Sequence, residues 1–299
     1  MRKPSITELA SEELALPVDP RVAAMAAAVA GRYGAASRAV LFYGSCLRSK
    51  ELEGQMLDFY LIVSSYRAAY GRSWLASANR LIPPNVFPFA YDGLAAKFAV
   101  LSEDHFRREC SVSARSVSVY ARFAQPSRLA WAADEAARNM AVGAVSHAAP
   151  TILELTRPTM TDEEAADPVA IWRKGLSYTY GAELRAERSS RSDSVVDADP
   201  DRYRRFAHAA GLPQVRGYTE LQRNSSESAW RYAQRREKRT SVKRLAKASL
   251  TFSGGIDYLA WKVNRHAGTD IRIKPWQRRF PLLGALTLLP RLLKRGAIR

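Results

Sequence analysis

The chain has 299 residues, 47% of them hydrophobic and 25% charged, enough apolar material for one large domain or two ordinary ones, which excludes a globally disordered chain. Its two cysteines, Cys46 and Cys110, exclude a disulfide framework or a cysteine-built zinc site and fit a reducing compartment. The net charge of +17 is uneven: residues 1–170 carry 18 basic and 18 acidic side chains, residues 171–299 carry 28 against 11, so the second part is drawn to nucleic acid or an anionic membrane surface.

Met1-Arg2-Lys3-Pro4 is followed by acids rather than an apolar core, unlike a secretory signal. Pro20 to Tyr33 predicts a helix with Pro20 in its first turn. Ala39 to Tyr43 predicts a strand ending at Gly44, and Met56 to Val63 predicts a buried strand. Tyr66 to Leu81 reads as a helix ended by Pro83-Pro84-Asn85. Lys97 to Leu101 reads as a third strand, with Ser102-Glu103-Asp104 opening a helix behind it. Ser116 to Ala124 fits either strand or helix and is bounded by Pro126.

From Leu129 the pattern turns toward longer helices. Leu129 to Thr156 is Ala-rich and reads as one or two of them. Thr161 and Glu164 have capping-box spacing. Ser189 to Asp201 reads as a polar loop, and Arg231 to Lys247 as a basic helix. The expected architecture is α/β: a mixed sheet with flanking helices over 1–128, a mostly helical basic part over 129–275, and a basic amphipathic tail over 276–299. That tail interleaves Arg278, Arg279, Arg291, Lys294, Arg295 and Arg299 with Phe280, Leu282, Leu283, Leu286, Leu288, Leu289, Leu292 and Leu293. Its uncharged run, Phe280 to Pro290, is too short to span a bilayer. The composition suits an interfacial anchor; a helix docked on the core is the alternative.

The chemistry centres on Tyr43-Gly44-Ser45 and Asp58. Gly44 lets backbone approach a phosphate closely, and Ser45 adds a hydroxyl and an N–H. Asp58, at a strand start, offers oxygen to Mg²⁺. Strand alternation puts Asp58 and Tyr60 on one face with Phe59 on the other. A two-carboxylate strand would place its second acid at position 60, which Tyr60 cannot supply. Asp104 or Glu103 could supply a metal ligand, or could equally serve a helix N-terminus. His105, His147, His208 and His266 show no ligand spacing, and Cys46 has no indicated base, so it reads as a small buried residue.

Five segments in order then carry a resemblance. They are Tyr43-Gly44-Ser45, Leu57-Asp58-Phe59-Tyr60, Lys97-Phe98-Ala99-Val100, Tyr120-Ala121-Arg122-Phe123-Ala124-Gln125-Pro126, and Ser177-Tyr178-Thr179-Tyr180-Gly181-Ala182-Glu183-Leu184-Arg185. Together they resemble the mitochondrial-type phosphatidate cytidylyltransferases, the translocator assembly and maintenance family of the nucleotidyltransferase superfamily. The resemblance implies transfer of CMP from CTP to phosphatidic acid, with Mg²⁺, giving CDP-diacylglycerol and pyrophosphate. It implies Tyr43, Gly44 and Ser45 at the nucleotide and Asp58 at the metal, with Asp104 the candidate second metal ligand; Lys97 and Arg122 are the candidates for phosphate contacts, where fixed positive charge offsets developing negative charge. Lys97 could equally orient the lipid phosphate. Ser177, Tyr178, Glu183 and Arg185 are then expected at the lipid head. Attachment would be peripheral: the cytoplasmic membrane face in a bacterium, the matrix side of the mitochondrial inner membrane in a eukaryote.

Gln125 stands where the family has a Lys, and Gly181-Ala182-Glu183 where it has a Gly-Asp pair. Two other function classes share the same residues: a nucleotidyltransferase acting on RNA or another soluble acceptor, and a catalytically silent membrane-binding homologue. The basic half lacks regular aromatic interleaving for base stacking, which disfavours nucleic acid.

Overall fold

A computed structural model describes all residues except 1, 50, 72, 183–189, 252–271 and 276–299. The N-terminal helices follow from their caps. In α1 (Ile6–Ala15), Ser5 Oγ accepts from the Glu8 N–H and Glu8 returns a carboxylate to the Ser5 N–H, a reciprocal capping box. In α2 (Pro20–Gly31), Asp19 caps and Pro20 takes the first turn, where its missing N–H costs nothing.

Five strands form one mixed sheet: β1 (Ser37–Tyr43), β2 (Met56–Val63), β3 (Asn85–Tyr91), β4 (Leu94–Ser102) and β5 (Ser127–Ala132), in the order β3-β4-β2-β1-β5. Only β2 and β4 run parallel; the β1–β2, β1–β5 and β3–β4 pairs are antiparallel. Between them lie α3 (Ser45–Ser49), α4 (Tyr66–Tyr70), α5 (Trp74–Leu81), α6 (Glu103–Glu109) and α7 (Val117–Phe123). The single helix expected over Tyr66 to Leu81 is two, broken where Gly71 takes a φ of +64°. Ser116 to Ala124 resolves as helix, with the Ser116 hydroxyl accepting from the Ser118 N–H.

Two strands depart from the expectation. β3 contains Pro88, which an edge strand tolerates because its missing donor removes no obligatory ladder bond. It closes a hairpin on β4 through Asp92 and Gly93, both at positive φ, a two-residue turn with strong sequence chemistry. β5 occupies the start of the region read as Ala-rich helix, and the helices begin at Glu135 instead.

The C-terminal part is helical: α8 (Glu135–Ser146), α9 (Ala148–Thr156), α10 (Pro168–Ala182), α11 (Ser190–Asp197), α12 (Pro200–Ala209) and α13 (Glu220–Thr251). The polar stretch read as a loop from Ser189 is therefore helix over most of its described length. Thr161 and Glu164 do form their reciprocal bonds, but they lead only a 3₁₀ turn.

Both faces of the sheet are covered, so the central strands read as continuous apolar runs. Val40, Phe42, Leu57, Phe59, Leu61, Phe98 and Val100 pack with Val22, Met25 and Val29 of α2 on one face. Leu41, Tyr60, Ile62, Ala99 and Leu101 face the other side, with Leu14, Phe123, Ile152, Trp172 and Tyr203. Truncating a fully buried ring such as Phe98 to Ala would cost about 3–5 kcal/mol. The second cluster and the sheet both cross the 128/129 boundary expected from composition. A buried ion pair reinforces this, with Arg202 of α12 bonded to Glu13 of α1 and donating to the Ala124 carbonyl at 3.1 Å.

Candidate active site

The pairing registers align one residue from each strand in a transverse row: Pro88, Lys97, Asp58, Tyr43 and Ser127. The next row on that face is Val86, Ala99, Tyr60, Leu41 and Leu129. The polar row borders an apolar one, because paired residues in register share a face and alternate residues along a strand return to it. Phe123, at the end of α7, packs on both Tyr43 and Tyr60, with ring centroids 6.0 and 5.3 Å away. The aromatic wall therefore dries one side of Asp58.

Lys97 Nζ lies 2.9 Å from Asp58 Oδ1, with the two side chains 31% and 19% exposed. Both are reachable from solvent. Gly44 follows Tyr43 at a φ of +98°, and a Cβ placed on it would meet Asp58 Oδ2 at 3.0 Å. Only glycine combines that left-handed backbone with that close approach. Ser45 comes next, exposed at the first position of α3. Cys46 is buried, its Sγ 3.6 Å from the Met56 carbonyl; burial first and the Asp58 charge second push its thiol up. A thiol held protonated in this way is no nucleophile.

The structure thus brings Tyr43, Gly44, Ser45, Asp58 and Lys97 together. Arg122 sits beside Phe123 on α7, with Nη1 donating to the Ser118 carbonyl one turn back. Gln125 Nε2 likewise donates to the Ala121 carbonyl, at 2.8 Å. Asp104 is not brought to Asp58. It opens α6 beyond the far end of β4, 91% exposed and paired with Arg107. The stretch of β4 from Lys97 to Ser102 alone spans roughly 16 Å, so the two carboxylates cannot share an ion.

Ser177 is exposed on α10 with Oγ donating to the Lys174 carbonyl at 2.7 Å. Tyr178 stacks on Trp230 of α13, with centroids 5.0 Å apart. Neither has a contact here with the Asp58 row. Glu183, Arg185 and the tail 276–299 lie outside the described residues. Two concavities, of about 390 Å³ beside Arg67 and Gly71 and 200 Å³ between Leu153, Arg157 and Tyr218, lie away from Asp58.

Two residues near this end of the sheet escaped the motif reading. Ser127 Oγ, in the transverse row, is buried with no hydrogen-bond partner among the described residues, which is costly for a hydroxyl. Arg48, on the helix that Ser45 opens, lies within electrostatic reach of Tyr203, whose hydroxyl burial pushes up to about 12. Arg48 follows Gly44-Ser45 closely enough that its charge could have been noted from the sequence. Ser127 could not, since only its pairing with Tyr43 places it.

Magnesium typically takes one or two carboxylates, with phosphate oxygens and water completing its shell. Asp58, edged by a turn that a Cβ would obstruct, fits that donor set as the protein's share. Among the described residues no group of three or more His, Cys, Asp or Glu side chains forms a self-sufficient metal site. No protein-family model matches this chain, and no curated protein matches it.

Proposed function

We propose that this protein is a magnesium-dependent nucleotidyltransferase that transfers CMP from CTP to phosphatidic acid at a membrane surface. The observation that carries the reading is the contact between the Gly44 turn and Asp58, with Lys97 alongside. A backbone bend open to phosphate, one metal-binding carboxylate and one fixed cation are what a bound triphosphate requires. The choice of CTP and phosphatidic acid rests on the five collinear motifs.

In this reaction a phosphate oxygen of the lipid attacks the α-phosphorus, the bond to the β-phosphate oxygen breaks, and pyrophosphate leaves. No covalent enzyme intermediate is needed. Gly44 and Ser45 would seat the triphosphate against the end of β1, and Lys97 and Arg122 would offset its negative charge. Magnesium, held by Asp58 and the phosphates, would supply further charge neutralisation. Tyr43, Tyr60 and Phe123 would exclude water from one side, which strengthens these interactions. Among the described residues no single helix is long and apolar enough to cross a membrane.

The test is incorporation of radiolabelled CTP into a chloroform-soluble product, with and without phosphatidic acid and Mg²⁺. Label should enter the organic phase only when both are present. Label transferred to RNA would change the acceptor. Absence of transfer to any acceptor would favour the silent homologue, for which the aromatic Tyr60 at the second-acid position is the supporting observation.

A further inference from the structure

We propose that Lys97 is an internal stand-in for the metal: its ammonium is paired with Asp58, so a divalent ion gains Asp58 only when a triphosphate takes Lys97 in exchange. This rests on the nucleotidyltransferase reading above.

Asp58 is 19% exposed, and each of its two oxygens has a close neighbour. Oδ1 is 2.9 Å from Lys97 Nζ, and Oδ2 faces the Gly44 backbone at the distance where a Cβ would press on it. The pairing is built into the sheet. Asp58 and Lys97 are register partners of the parallel β2–β4 ladder, and β4 is fixed on its other side by β3, with Lys97 opposite Pro88. The backbones therefore hold the two Cα atoms in place, and only the flexible lysine stem can carry its charge away.

Electrostatics sets the condition for that movement. The Asp58–Lys97 pair is neutral. A divalent ion added alone would stand beside an ammonium in a half-buried site, where like charges a few ångströms apart repel one another. A metal–triphosphate complex brings net negative charge, gives Lys97 a new partner and leaves Asp58 to the ion. Metal and nucleotide then bind as one unit, and the site does not hold a free ion.

Manganese binding, read from the electron paramagnetic resonance of the free ion, tests the exchange. Wild-type protein should take up Mn²⁺ weakly alone and at least about tenfold more tightly with a non-hydrolysable CTP analogue. Lys97→Met should bind Mn²⁺ alone about tenfold more tightly than wild type, and Asp58→Asn/Lys97→Met should lose that gain. The proposal is overturned if Lys97→Met gains nothing, or if wild type binds Mn²⁺ at Asp58 equally well without nucleotide. If Lys97→Met fails to fold, the wild-type comparison decides. The Lys97→Met comparison needs no nucleotide, so it decides the exchange even if the CTP analogue fails to bind, an outcome that would count against the function instead. Analogue binding that needs Mg²⁺ and Asp58, with no Lys97→Met gain, would defeat the exchange and leave the function standing.

Discussion

Gly44 and Asp58, fourteen residues apart in sequence, meet so closely that a single added methyl on the glycine would stand 3.0 Å from the carboxylate. Replacing Gly44 with Ala imposes a side chain on a φ of +98° as well. Gly44→Ala should lose about 1–3 kcal/mol of stability and shift Asp58, so nucleotide affinity should fall while the fold persists. Thermal unfolding and CTP-analogue titration check both parts.

Asp58→Asn keeps the shape and removes the charge. Nucleotidyl transfer should fall by about 10²-fold or more, since charge stabilisation at the reacting phosphates would be lost. The circular-dichroism spectrum and liposome binding should stay near wild type. Retained turnover would defeat the assignment of Asp58.

Glu237 of α13 is buried against the front of α7, accepting from Ser116 Oγ at 3.0 Å, the Val117 N–H at 3.1 Å and Arg244 Nη1 at 2.6 Å. Arg244 also donates to the Pro83 carbonyl at 2.7 Å. Glu237→Ala would leave the guanidinium largely buried without its counter-charge, a loss of about 3 kcal/mol. Denaturant titration should show the midpoint falling accordingly.

His105 is half-buried, with its Nδ1 2.7 Å from the Tyr66 hydroxyl. Burial first, then the Arg108 charge, hold its pKa below the ordinary 6.5. The unfolded chain takes up this proton at higher pH than the folded one, so the contribution is present above pH 6.5 and is lost as pH falls through the lower folded value. Stability should therefore decline on acidification from pH 6.5 down to the lower folded value and level off below it, and His105→Gln should flatten this part of a pH series of unfolding midpoints.

Removing residues 278–299 deletes the alternating basic and leucine-rich tail. Liposome sedimentation should weaken more than CTP-analogue binding, because interfacial affinity scales with buried apolar area and basic charge. Unchanged sedimentation would argue against the tail as an anchor.

Much of this was legible in residues and spacing. β1, β2 and β4 show as apolar runs bounded by turns, and Asp19-Pro20, Ser102 and the Thr161–Glu164 pair mark the starts of α2, α6 and a 3₁₀ turn by local chemistry. The alternation that puts Asp58 with Tyr60 and away from Phe59 is equally local, and the two apolar clusters respect it. β3 was obscured by Pro88 although Asp92-Gly93 signals its hairpin. The Ala-containing stretch Ser127–Ala132 has no intrinsic reason to be a strand until β1 offers a ladder.

By itself the sequence determined the strand alternation, the Gly-Ser bend, the acidic residue near the start of β2 and the concentration of positive charge after residue 170. Those properties depend on neighbours along the chain. Only the tertiary structure decided that Lys97 lies beside Asp58, that Asp104 stands at the opposite end of β4, and that Ser127 completes the row. Each depends on which strands pair and in what register, and that is settled by packing between segments distant in sequence.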